Sequence, residues 1–201
     1  MANLATSKAI TFFDIETTHL DPKKSAILSI SIITDWEDGK QDVWSTKIKP
    51  KAIELEFASK EALEVCGYSD EEWADAPMLE TVAYDIVKRL MWGPIVGHNV
   101  QFDVSNVRAV LQRYGYSESE RGKKVTPDNK TYKIGYPQID TCALAYLFLP
   151  TERQNLNALR EYFEIDTARA HNSDTDVEDC RHVFYNIMSQ LDENNSGSIN
   201  A

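Results

Sequence analysis

The run Ile10-Thr11-Phe12-Phe13-Asp14-Ile15-Glu16 constrains this chain more than any other segment. Strand side chains alternate between faces, so Ile10, Phe12, Asp14 and Glu16 share one side and Thr11, Phe13 and Ile15 the other. Both sides are apolar at the start, so the strand is covered on both faces and belongs in the middle of a sheet. It then ends in two carboxylates on a face that began as core. Ionised side by side, these acids repel each other and lose hydration, which raises at least one pKa unless a cation compensates. Two acids at a strand end can also simply reach solvent. The rest of the chain discriminates between these readings.

The residues that follow predict a layered α/β domain. Ile27 to Thr34 reads as a second strand. Glu37-Asp38-Gly39-Lys40 turns the chain into a third, Val43 to Lys49, completing an antiparallel meander. Helical spacing takes over from Glu61, with a capping-box pattern at Ser69-x-x-Glu72. Leu79 to Met91 carries Leu79, Val82, Ala83, Ile86, Val87 and Leu90 on one face and stops at Gly93-Pro94. Ile95-Val96 is a short buried strand, Phe102 to Tyr114 a helix, and Tyr116 to Tyr136 a polar loop. After Ile139-Asp140 come an apolar helix to Leu149, a helix from Asn155 to Phe163, and a last helix from Asp174 to Leu191. Helices alternating with short strands after a meander mean a mixed central sheet flanked by helices. One domain, 1–191, with a polar, disordered tail, 192–201, is expected.

Two more carboxylates fall on buried helical stripes. Asp103 is followed at helical offsets by Val107, Val110, Leu111 and Tyr114, so it starts the inward face of its helix. Asp176 is followed by Cys180, Val183, Phe184, Ile187 and Leu191. Its neighbour Asp174 aligns instead with Glu178, Arg181, His182 and Tyr185 and reads as a cap or macrodipole contact. Four inward carboxylates, with no basic residues matching them in their own segments, are what hard divalent cations require. A two-metal phosphoryl-transfer site is the natural hypothesis.

Such a site reconciles nucleic acid with an acidic chain. There are 32 Asp and Glu against 21 Lys and Arg, a formal net charge of -11. That balance argues against phosphate binding unless bound cations reverse the local sign. The longest apolar run, Cys142 to Leu149, is far below the ~18 residues that span a bilayer. The first residues lack the pattern of a signal peptide. No membrane role and a cytoplasmic location are expected. Cys66, Cys142 and Cys180 follow no metal or redox spacing and read as reduced core residues. No G-x-x-x-x-G-K-[ST] occurs, which removes P-loop hydrolases. Lys47, Lys49 and Lys51, and Arg121, Lys123, Lys124, Lys130 and Lys133 in the polar loop, are two basic stretches. Either could meet a phosphate backbone or be merely solvated.

The acids sit in three motifs: Phe12-Phe13-Asp14-Ile15-Glu16-Thr17-Thr18, Gly97-His98-Asn99-Val100-Gln101-Phe102-Asp103 and His171-Asn172-Ser173-Asp174-Thr175-Asp176. In this order they resemble the DEDD exonucleases of the histidine subtype (DEDDh). That is the family of the bacterial DNA polymerase III proofreading subunit and ribonuclease T. The likeness runs from Ile10 to Met188, with weaker matches at Ile139-Asp140-Thr141 and Asn155-Leu156-Asn157-Ala158-Leu159. The tyrosine subtype places Tyr where this chain has Asn172, whereas His171 matches the histidine subtype. The chain departs from many relatives at His19, where Gly is common, and at Cys66-Gly67, where His-Gly is common.

The resemblance implies a ribonuclease H-like fold. The implied activity is 3′→5′ release of nucleoside 5′-monophosphates from single-stranded DNA ends, using two Mg²⁺ or Mn²⁺ ions. Asp14, Glu16, Asp103 and Asp176 would be the metal ligands and His171 the general base. Thr17, Leu20, Asn99 and Phe102 would receive the terminal nucleotide. Action on RNA ends or short oligoribonucleotides is the alternative, and a non-catalytic nucleic-acid-binding module on the same fold a further one. A single-stranded 3′ end is the expected partner, DNA favoured over RNA, with a polymerase or a second copy of the chain also possible. His19, His98 and His182 are read as surface or structural residues, and Asp140 as a hydrogen-bonding residue.

Overall fold

The computed structural model describes residues 8–119, 130–166 and 173–197, the last four without their side chains. Its centre is a five-stranded mixed sheet ordered β3-β2-β1-β4-β7. These strands are β1 (Ala9–Thr17), β2 (Ile27–Trp36), β3 (Gln41–Lys47), β4 (Ile95–Gly97) and β7 (Gln138–Asp140). The meander pairs antiparallel, with Asp14 opposite Ser31. β4 runs parallel to β1, and β7 parallel to β4. β1 is therefore the middle strand, as its two apolar faces require. Two short strands, β5 (Ser117–Glu118) and β6 (Thr131–Tyr132), pair separately.

Both faces of the sheet are covered. Phe13 and Ile15 pack with the buried residues of α3 (Leu79–Arg89) and α4 (Val100–Arg113), among them Ile86, Val104 and Val107. On the opposite face Phe12, Ile33 and Val96 meet Val177, Cys180 and Phe184 of α7 (Ser173–Gly197). A third cluster joins α5 (Thr141–Phe148) and α6 (Leu156–Tyr162) to α7 through Ala145, Leu159, Val183 and Ile187. Two short helices, α1 (Ala52–Leu55) and α2 (Lys60–Val65), lie between the meander and α3.

Local chemistry sets several element ends. Asp140 accepts the Cys142 N–H and caps α5. Asn155 does the same for α6 through Ala158, and Ser59 for α2 through Ala62. Ser69 accepts the Glu72 N–H as its spacing predicts, but the chain there makes turns and no helix, because no apolar stripe follows to be buried. Gly93 cannot carry a side chain, since a Cβ would lie 2.2 Å from the Ala9 carbonyl oxygen at the entry to β4. α7 extends into 192–197, six residues beyond the apolar stripe that marks it in the sequence. Once nucleated, a helix propagates at little cost through polar residues. Among the described residues, no helix is long and apolar enough to cross a membrane.

Candidate active site

The site forms where three elements end together. β1 delivers Asp14 and Glu16 at its C-terminal end, and α7 delivers Asp176 from its first turn. Each offers a carboxylate oxygen, and the three lie within 4.8 Å of one another. Asp103, in the first turn of α4, is 3% exposed and accepts the Ile15 N–H. It is not one of the three converging acids, yet it is the strongest charged influence on Asp14. Burial, then repulsion from Asp103, Asp176 and Glu16, pushes the Asp14 carboxyl well above the usual range. The Arg160 charge opposes this more weakly. Burial likewise raises Asp103, against the pull of the Ile15 N–H.

Among the described residues, a basic group from outside the acid-bearing segments enters this neighbourhood. Arg160 of α6 is 1% exposed and donates to Asp176 at 2.5 Å, to Asp179 at 2.7 Å and to Asn157 at 2.7 Å. It lies on another helix, so the segments carrying the acids do not reveal it. Its position four residues after Leu156, on the apolar stripe of α6, is the one available signal. Arg160 does not neutralise the cluster, because its single charge is shared between Asp176 and Asp179.

This donor set fits hard divalent cations: carboxylate oxygens alone, converging from distant parts of the chain, with charges that together raise the Asp14 pKa. The chemistry of Asp14, Glu16 and Asp176, with Asp103 behind them, requires a compensating positive charge when all are ionised.

Other predicted residues find these places. Thr17 is buried and donates to the His19 carbonyl at 3.2 Å, whereas Leu20 is 74% exposed. Asn99 sits in the left-handed region just before α4, its N–H bonded to Asp140 at 3.0 Å, and Phe102 is half-buried in the first turn of α4. Asp140 is structural, holding Asn99 and Cys142, and His98 bonds Thr141 at 3.0 Å. Burial lowers the His98 pKa and keeps the ring neutral. His182 is exposed on α7. His171 lies outside the described residues, as do Arg121, Lys123 and Lys124 of the polar loop.

Two further readings change, and a third gains a contact. Cys66 is no core residue: its thiol donates to Glu16 at 3.1 Å, and together they line a cleft of about 380 Å³ with Ser29, Ser173 and Asp174. α2 folds back over the end of β1, a long-range contact that local apolar neighbours do not disclose. Asp174 lies in the first turn of α7, as the macrodipole reading expects, and also accepts the Ser31 hydroxyl of β2, which ties α7 to the sheet. The stripe Lys47, Lys49 and Lys51 is already engaged, with Lys47 on Glu72 at 2.8 Å, Lys49 on the Ala74 carbonyl and Lys51 on Glu80 at 2.6 Å. All three cysteines are free thiols.

A mixed sheet of order β3-β2-β1-β4-β7, with acids gathered at the end of its central strand, has the ribonuclease H-like architecture. Residues 11–184 match the family described as Exonuclease (RNase_T), and the chain belongs to that family. It is 24% identical over 182 residues to a PolC-type DNA polymerase III of Caldanaerobacter subterraneus subsp. tengcongensis, covering 90% of this chain and 12% of that protein. It is also 24% identical over 180 residues to the 3′-5′ exonuclease DinG of Bacillus subtilis, covering 89% and 17%. The chain thus spans less than a fifth of these relatives. In structure it resembles E. coli exonuclease I, solved in complex with a dT13 oligonucleotide. The TM-score is 0.69 and the identity 16%, over 90% of this chain and 40% of that one.

Proposed function

We propose that this chain is a metal-dependent 3′→5′ exonuclease acting on single-stranded DNA ends and releasing nucleoside 5′-monophosphates. The observation that carries the reading is the convergence of Asp14, Glu16 and Asp176 within 4.8 Å, beside buried Asp103, in a member of the exonuclease family. These four residues would hold two Mg²⁺ or Mn²⁺ ions, which supply positive charge for an attacking water and for the departing 3′-oxygen.

The chain's own residues do the rest. Two ionised acids at the end of a covered strand repel one another until the charge is compensated, so the site is poised to take up cations with the phosphate. His171, two residues ahead of Ser173, takes the proton of the attacking water, a task suited to a group with a pKa near ~6.5. Leu20, exposed four residues after Glu16, would receive the terminal nucleotide together with Thr17, Asn99 and Phe102. DNA is favoured because PolC-type DNA polymerases are among the relatives and exonuclease I was solved with a DNA oligonucleotide. Likeness to a segment of PolC-type polymerases favours action beside a polymerase over action as a homodimer.

The test is a 5′-labelled single strand, supplied in matched DNA and RNA forms. The expected result is stepwise shortening from the 3′ end that needs Mg²⁺ or Mn²⁺ and is faster on DNA. Failure to shorten either strand rejects the reading, and faster RNA shortening moves the substrate to the alternative.

A further inference from the structure

Arg160 heads the largest fully buried side chains of the described residues. A buried guanidinium is costly unless its charge and its N–H groups are matched. Here the match is specific. Nε donates to Asp179 Oδ2 at 2.7 Å, Nη1 to Asn157 Oδ1 at 2.7 Å and Nη2 to Asp176 Oδ1 at 2.5 Å. Asp176 and Asp179 are three residues apart on α7 and so lie on the same side of the helix, with the planar fork bridging them. Asn157, three residues earlier on α6, fixes the fork from the other end. Two of the three contacts are therefore made to residues outside the acidic cluster. The third falls on the carboxylate that must face Asp14 and Glu16.

Charge alone and orientation alone predict opposite consequences. A guanidinium against a metal-ligating carboxylate withdraws part of its negative charge and, counted as charge, weakens cation binding. A carboxylate accepts at two oxygens with about four lone-pair directions, so one donor can fix its plane and still leave it free to ligate. Residues that orient a ligand in this way are worth about 10–100-fold in metal affinity.

We infer that Arg160 is a positioning residue: anchored by Asp179 and Asn157, it presents the Asp176 carboxylate to the cation site. The inference rests on the proposed reading that Asp14, Glu16 and Asp176 hold a divalent cation.

The experiment titrates Mn²⁺ calorimetrically into the full chain. In Arg160→Met/Asp179→Leu the two most deeply buried charges of this network are removed together, so Asp176 alone loses a charged partner and the fold is expected to be retained. Mn²⁺ affinity is expected to fall about 10–100-fold. The Mn²⁺ concentration for half-maximal DNA shortening should rise in parallel, with an unfolding midpoint close to that of the wild type. Affinity equal to or above the wild type overturns the inference, since that is what removal of a competing positive charge would produce. If circular dichroism shows the double variant unfolded, Arg160→Lys takes its place. It keeps the charge but loses the fork, the same loss is expected, and wild-type affinity in it overturns the inference. Wild-type protein that takes up no Mn²⁺, or whose uptake survives Asp14→Asn, overturns the metal reading and this inference with it. Tight wild-type binding retained in the double variant overturns this inference alone.

Discussion

Asp14→Asn should stabilise the metal-free protein and weaken the metal-loaded one. The Asp14 carboxyl is held well above its ordinary pKa by burial and by Asp103, Asp176 and Glu16. A raised folded-state pKa contributes stability that is fully present below the unfolded value and is lost as pH rises through the folded one. At mildly alkaline pH without metal, the wild type therefore bears the repulsion. Oxygens within 4.8 Å interact by about 3 kcal/mol per ionised pair at an effective dielectric constant of ~20. Partial protonation and the Arg160 charge remove some of this. A net gain on the order of 1–3 kcal/mol in Asp14→Asn follows, or roughly 2–10 °C in melting temperature for a chain of this size. Lowering the pH towards about 4 should erase the difference as the carboxyls protonate. Saturating Mg²⁺ should reverse the order, since ion present at about a thousand times its Kd stabilises the wild type by about 4.1 kcal/mol. Thermal melts in chelator and in Mg²⁺, each at two pH values, read all four terms of the comparison. An Asp14→Asn protein that melts below the wild type in chelator at alkaline pH would refute the reasoning, because the acids would then not be repelling one another.

His171→Ala should leave Mn²⁺ affinity nearly unchanged and cut turnover by roughly 10²–10⁴, the scale of a lost general base; calorimetry and single-turnover shortening assays measure both, and unaltered turnover removes the role. Cys66 should alkylate with iodoacetamide more slowly than a free thiol, since burial and then the Glu16 charge push its pKa up. Glu16→Gln should speed that reaction as followed by mass spectrometry, and an unchanged rate would place the thiol elsewhere. Gly93→Ala sets a Cβ 2.2 Å from the Ala9 carbonyl oxygen and should cost about 1–3 kcal/mol in a urea titration; a neutral result would mean that the β1–β4 entrance yields easily.

Sequence periodicity is enough to place β1 in the centre of the sheet, to turn Asp103 and Asp176 inward and to separate Asp176 from Asp174. Each conclusion follows from side-chain direction along a single element, which alternation and the helical repeat dictate locally. The element ends were less legible, as the turns after Ser69 and the extension of α7 show, because helix propagation and burial compete over the whole chain. What tertiary structure alone decided was which groups share space across elements. Arg160 reached Asp176 and Asp179 from another helix, Cys66 folded back onto Glu16, and Ser31 took Asp174. No local pattern encodes such pairings, since each depends on how two separately formed elements pack and on the burial that makes an unmatched charge too costly to leave alone.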